Sequence, residues 1–252
     1  MKKIVLAAAA VVLSAGIASA ADLPARTYTK APVIAPIPYT WTGFYVGVQG
    51  GYKWADHRIA RLDAAGAVRI FGGIPLDDTS RANGGFIGGH AGYNWQSGIW
   101  VFGLEGDAEW SDAKYGPRTI AAAPGVDFNY GRIDWQASFR GRVGVAVAPQ
   151  TLLYVTGGLA YAGIYSRVDV GGLGNQFIAY SRDVPGWTVG AGIEQVISGN
   201  FTGRIEGRYT EYDNIRQAST AGLTATFLTQ TKEASVRGGL SYKFGGPVVA
   251  KY

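Results

Sequence analysis

The sequence has no cysteine, two histidines (His57 and His90), few charges and, beyond residue 20, no long apolar run. Without cysteine there is no disulfide framework, no thiolate nucleophile and no Cys-ligated metal. Two histidines far apart, with no activated nucleophile around either, leave little on which to build acid–base catalysis or a metal centre. No catalytic, cofactor-binding or metal-ligating residue is assigned, and no cofactor is expected. Charged residues make up 16% of the chain, whereas it holds 7 Trp and 15 Tyr, a balance that suits a lipid-facing surface with interfacial aromatics. The net charge of +5 falls to +3 if Lys2 and Lys3 leave with a leader. Acids and bases are interspersed with no basic run, which argues against nucleic acid as a partner. Glycine, at 38 residues, is about twice the usual roughly 7% and suits small positions inside a crowded barrel.

Met1-Lys2-Lys3, an apolar stretch over 4–17 and Ala18-Ser19-Ala20 have the order of a signal peptide (1–20), with cleavage after Ala20 and export of the remainder. No later segment has the 18 or more apolar residues of a membrane helix. A mature chain in a membrane must then be a closed barrel, because only helices and barrels satisfy every backbone group in lipid. Residues 21–40 carry Pro24, Pro32, Pro36 and Pro38 and read as an extended periplasmic linker, a disordered arm ahead of the barrel at 41–244.

Strict alternation marks eight strands, at 42–54, 84–95, 99–110, 133–147, 152–165, 187–196, 201–212 and about 231–244. Phe44, Val46, Val48, Tyr52 and Trp54 face lipid on the first, Ile87, Tyr93 and Trp95 on the second, and Trp100, Phe102, Leu104 and Trp110 on the third. Ser97-Gly98 is expected to form a two-residue turn that places Tyr93 opposite Phe102 and His90 opposite Glu105. A three-residue turn centred on Pro149 keeps Val145 opposite Leu153, and the turn at 198–200 puts Glu194 opposite Arg204. The intervening long segments, 55–83, 111–132, 166–186 and 213–230, read as loops, although 223–228 has strand character. The glycine-rich run at 171–175 has no helix behind it and so no phosphate-binding context. Short and long connections alternate. This fixes the fold class as an all-β, eight-stranded, antiparallel up-and-down transmembrane barrel with short periplasmic turns and four long extracellular loops.

Threaded this way, Trp54, Trp110, Trp135, Tyr161, Trp187 and Tyr209 fall at the outer ends, and Phe44, Trp95, Trp100, Phe201, Tyr242 and Phe244 at the inner ends, two girdles. The opposite face of the strands points Lys53, Arg140, Arg142, Arg204, Arg208, Arg237 and Lys243 inward, against Glu105, Asp107, Glu109, Asp134, Glu194 and Glu206, with His90 as a partner of Glu105. An eight-stranded interior is just wide enough for side chains to fill, so these charges pair across the lumen and plug it. The alternative is a narrow polar path for water, ions or very small solutes, centred on Glu105, Arg140 and Arg142. A third class, a hydrolase at the outer rim, rests on Asp56-His57 alone, which reads as a solvated loop pair.

Trp41-Thr42-Gly43-Phe44-Tyr45-Val46-Gly47, Gly92-Tyr93-Asn94-Trp95-Gln96 with Gly103-Leu104-Glu105-Gly106-Asp107, the run 186–194 and the ending Gly239-Leu240-Ser241-Tyr242-Lys243-Phe244 together resemble the small porin-family outer-membrane barrels of alphaproteobacteria, often called outer-membrane immunogenic proteins. The resemblance implies an abundant, antigenic surface barrel with no catalytic residues to carry over. The closing stretch also looks like the recognition signal of the outer-membrane barrel assembly machinery: Arg237, Gly239, Tyr242 and Phe244. Such barrels often stop at the last aromatic, whereas a tail (245–252) follows here, so Phe244 as an internal signal competes with Tyr252. The other partners implied are outer-membrane lipids, lipopolysaccharide phosphates at Arg58, Arg61, Arg69, Arg81, Lys114, Arg118, Arg167 and Arg182, and a host or surface ligand through the loops.

Overall fold

The computed structural model describes residues 39–62, 70–71, 74–75, 77–115, 118–119, 127–128, 130–170, 176–218 and 226–245. The expected signal peptide, the linker as far as residue 38, the 171–175 run and residues 246–252 lie outside them. Eight long strands carry the fold: β1 Gly43–Leu62, β2 Asp77–Ser97, β3 Trp100–Ser111, β4 Tyr130–Ala148, β5 Thr151–Val170, β6 Gln176–Ser198, β7 Phe201–Ala218 and β8 Thr226–Lys243. Each pairs antiparallel with the next. β1 also pairs with β8, from Tyr45 opposite Lys243 to Leu62 opposite Thr226. The ring is closed, and no strand presents an edge to lipid.

Period-2 alternation decides which side chains meet lipid. Along β3, Val101, Gly103, Glu105, Asp107 and Glu109 are buried while Trp100, Phe102, Leu104, Ala108 and Trp110 are exposed. The apolar face is the outer one because the surrounding solvent is hydrocarbon. Both girdles are present: Trp135 meets Tyr161 at 6.0 Å and Trp187 meets Tyr209 at 5.6 Å at the outer level, and Phe44 meets Phe244 at 5.6 Å and Phe201 meets Tyr242 at 5.0 Å at the inner. From Phe44 to Trp54 is about 33 Å of strand, which at a tilt of about 40° projects to about 25 Å, the height of an outer-membrane apolar band.

Three of the expected loops are largely strand. The β1–β2 ladder runs out to Ala60 opposite Asp77, β5–β6 to Val170 opposite Gln176, and β7–β8 to Ala218 opposite Thr226. Alternation continues above the girdle, but with charge on the outward face: Ala55 and His57 are buried, Asp56 and Arg58 exposed. An apolar outward period is lost where the outer solvent becomes water. In the fourth, Lys114–Tyr115 bridges β2 and β4. The β2–β3 ladder stops at Phe86 opposite Ser111 and the β6–β7 ladder at Gly186 opposite Tyr212. Among the described residues the rim above these levels is one sheet, β7-β8-β1-β2 joined through Lys114–Tyr115 to β4-β5-β6, and it is open between β6 and β7. Ala55, Ala82, Ile133, Ala160, Ala162, Ile164, Val184, Tyr212 and Ile215 form one buried cluster inside it that spans this opening. The β6 edge carries Pro185 and the β7 edge a bulge between Tyr212 and Ile215, both devices that blunt exposed strand edges.

The turns correct three details. Ser97 pairs with Trp100, so the turn is Gly98-Ile99; Tyr93 faces Leu104, and His90 faces Asp107. Gly98 takes φ 60°, and the first central position of a tight hairpin turn accepts glycine there without strain. The two-residue slip keeps every side chain on its expected face. Val145 does face Leu153, but through a two-residue turn at Pro149-Gln150 and a bulge at Val147. Glu194 faces Arg204 as expected, but through a two-residue turn at Gly199-Asn200 and a bulge at Ile197.

Candidate functional site: a filled lumen

Viewed along its axis, the interior is three layers. At the periplasmic end Trp41, Val101, Leu152, Tyr154 and Val196 form a buried apolar floor, with Tyr39 and Ala146 against it. At the extracellular end lies the buried cluster of the rim. Between them are six buried cations, Lys53, Arg140, Arg142, Arg204, Arg208 and Arg237, and six buried anions, Glu105, Asp107, Glu109, Glu194, Glu206 and Glu233. The signs balance, as low dielectric demands: an unpaired charge there costs several kcal/mol, roughly 3–5 when one partner of a buried pair is removed.

Arg140 is the hub. It bonds Glu105, Asp107 at 2.9 Å and Glu206 at 2.9 Å, and donates to Thr156 Oγ1 at 3.1 Å. Arg208 bridges the same Asp107 and Glu206, at 3.1 and 3.0 Å. Arg204, although opposite Glu194 in the ladder, reaches across to Glu105 and donates to Gln49 at 2.8 Å. Glu194 instead holds Arg142, which lies 3.7 Å over the Tyr154 ring, and accepts from Thr202 at 2.6 Å. Higher up, Glu109 takes Arg237 at 2.9 Å and Lys53 at 2.7 Å. Both cations flank the Phe86 ring, each 4.8 Å from its centroid. Gln136 donates to Glu233 and to the Tyr212 hydroxyl, each at 2.5 Å. Beside Asp107, Arg208 and Glu233 the network leaves a cavity of about 10 Å³, room for about one water.

Two tyrosines reach the network over a missing side chain. Tyr45 on β1 faces Gly92 on β2, and its hydroxyl donates to Glu105 at 2.8 Å. Tyr154 on β5 faces Gly192 on β6 and donates to Glu206 at 3.0 Å. A Cβ at Gly92 would lie 2.5 Å from the first hydroxyl, and one at Gly192 2.6 Å from the second. Glycine is what lets each ring lie across its neighbour strand.

Every interior residue expected from alternation is buried except Asp134. That residue is the extra one in a β4 bulge opposite Gly163 and Ile164, and it pairs with Arg132 at 2.8 Å at the half-exposed rim. Lys243 is buried at the mouth, apart from the network, with its Nζ 3.4 Å from the carbonyls of Thr42 and Gly245. His90 bonds Ser241 Oγ at 2.8 Å rather than Glu105, because of the turn slip. Asp56 and His57 are no dyad: Asp56 faces outward to Arg81 at 3.2 Å, and His57 is buried against Thr231 Oγ1 at 2.8 Å, closed to any substrate. Among the described residues no three His, Asp or Glu are grouped as metal ligands. Gln49 and Gln136 lie inside as alternation places them, whereas Glu233 and Trp41 were not expected in the lumen. Glu233 continues the odd-numbered inward face of β8 through Ser235 and Arg237, so alternation carried back to the start of that strand finds it. Of the closing stretch, Arg237 is in the network, Gly239 backs onto Arg204, and Tyr242 and Phe244 meet edge-on at 5.1 Å in the inner girdle.

The model of the outer membrane protein beta-barrel domain matches residues 6–244. The chain is 32% identical over 253 residues to the 31 kDa outer-membrane immunogenic protein of Brucella melitensis, covering 97% of this chain and all of that one. It is 32% identical over 245 residues to the 25 kDa outer-membrane immunogenic protein of Brucella canis, covering 97% and 99%. A 22 kDa outer membrane protein of Rhizobium leguminosarum is 32% identical over 205 residues, covering 81% and 79%. With a closed ring of eight strands, two aromatic girdles and relatives aligned almost end to end, this chain resides in the outer membrane and belongs to the outer-membrane β-barrel family of the immunogenic proteins.

Proposed function

We propose that the protein is a closed structural barrel, which anchors a surface-exposed rim in the outer membrane and passes no solute. The observation that carries this reading is the complete pairing of six cations with six anions across the lumen between two apolar layers. A conducting path needs mobile water beside its charges, and every carboxylate here is already held by a cation or hydrogen-bond donor of the barrel. Envelope integrity and surface contact then fall to the wall and the rim. The names of the Brucella relatives as immunogenic proteins support surface display. The protein is on this reading no enzyme. Arg58, Arg81, Lys114 and Arg182, exposed at the rim, suit the phosphates of lipopolysaccharide, and Arg237, Gly239, Tyr242 and Phe244 serve as the assembly signal. The test is single-channel recording in planar bilayers. The parent barrel is expected to show no reproducible conductance; steady conductance altered by Arg140→Gln or Glu105→Gln would replace this reading with a narrow porin.

A further inference from the structure

We propose that residues 39–42 are a built-in stopper, docked in the periplasmic mouth of the barrel and separable from the charge network above it. The segment ahead of β1 turns into the lumen. Trp41, 1% exposed, packs with Val101 of β3, Leu152 and Tyr154 of β5 and Val196 of β6. In a ring of eight, β5 stands opposite β1, so a residue two positions before β1 crosses the whole floor. Polar links fix the crossing. The Trp41 backbone N–H donates to Gln96 Oε1 at 2.7 Å, the Gln96 backbone N–H donates to Thr42 Oγ1 at 2.9 Å, and Tyr39 sits edge-on to Trp41 at 5.1 Å with the Lys243 ammonium 5.0 Å over its ring. Burial, then the nearby Glu194 carboxylate, push the Tyr39 hydroxyl above its ordinary range, as expected of a phenol tucked under the network.

Nothing covalent beyond the main chain holds the stopper, and its contacts are with the floor, which meets the ion pairs through Tyr154. Undocking it exposes the underside of the Arg142–Glu194 pair to the periplasm while β1 to β8 stay closed. The lumen therefore has two seals in series: the stopper sets solvent access from below, and the ion pairs close the middle. This deepens the closed-barrel reading and rests on it.

The natural absence of cysteine allows a direct test. Leu152→Cys places one thiol on the floor of the folded full-length protein in detergent micelles. A bulky, charged maleimide should label it slowly. Adding Trp41→Ala should raise the labelling rate about ten-fold or more, as the accessible population rises, and Trp41→Phe should return it toward the parent value. Heat-dependent gel mobility identifies folded samples. Should Trp41→Ala not fold, Gln96→Ala takes its place and should also raise the rate. Fast labelling with Trp41 intact, or an unchanged rate in the folded variant, overturns the stopper. Conductance of the parent barrel reports separately on the ion-pair seal, so the two readings fail by different measurements.

Discussion

Arg142 and Glu194 form the simplest unit of the lumen, one guanidinium against one carboxylate, with Thr202 donating to the acid and Tyr154 under the base. Two opposed terms govern such a pair. Each ion loses its hydration on burial, and the mutual attraction offsets that loss only while both are present. Glu194→Met alone should therefore cost about 3–5 kcal/mol, because it leaves Arg142 charged in a dry site. Glu194→Met with Arg142→Met should return stability to near the parent value, since the apolar floor lies next to the pair. Urea unfolding in lipid vesicles, followed by tryptophan fluorescence, measures both. A double variant as unstable as the single would mean that the pair contributes more than its own neutralisation. The charge types of the lumen were legible residue by residue, because alternation alone sorts Glu105, Asp107, Arg140, Arg204 and Arg208 to one face. Their partners were not. Arg204 faces Glu194 in the ladder yet bonds Glu105 across the barrel, and only the curvature of the closed wall decides that.

At the level of strands, the part of the wall above the outer girdle has its own core. Ile164 of β5 is buried there with Val184 of β6 and Tyr212 and Ile215 of β7, across the line where the β6–β7 ladder ends. Since those two strands are not paired with each other above Gly186, side-chain packing holds the rim closed along that line. Ile164→Ala should remove about 2–5 kcal/mol of that packing and loosen the rim without opening the membrane barrel. Limited trypsin digestion should then cut faster after Arg167 or Arg182, with heat-dependent gel mobility unchanged. Equal loss of both would show that rim and barrel unfold as one unit. The membrane-spanning strands could be read from apolar alternation. Their extensions could not, because in β1 beyond Trp54 the outward positions become Asp56 and Arg58, and the hydrophobic period disappears while the ladder continues. The slip at Gly98-Ile99 escaped for a related reason: a shift of two leaves both faces intact, so side-chain pattern cannot distinguish the registers.

For the molecule as a whole, the decisive event is closure of β1 on β8, which turns an open sheet with two edges into a barrel with none. The seam ends at the inner girdle. Tyr45 pairs with Lys243, the Phe244 N–H donates to the Phe44 carbonyl at 2.7 Å, and the Phe244 ring meets both Phe44 and Tyr242. Phe244 is thus the last described residue to join the wall, and Gly245 takes φ 90°, a conformation that other residues rarely adopt. If the assembly signal is a strand read up to its final aromatic, it ends at Phe244. Deleting residues 245–252 should then leave outer-membrane insertion and heat-dependent mobility at parent levels in cells. Phe244→Ala in the full chain should lower the inserted fraction severalfold, because it removes the seam's last aromatic contact from the strand that must be recognised. Loss of insertion in the deletion, with Phe244→Ala tolerated, would move the signal to Tyr252 and leave Phe244 as a girdle residue alone.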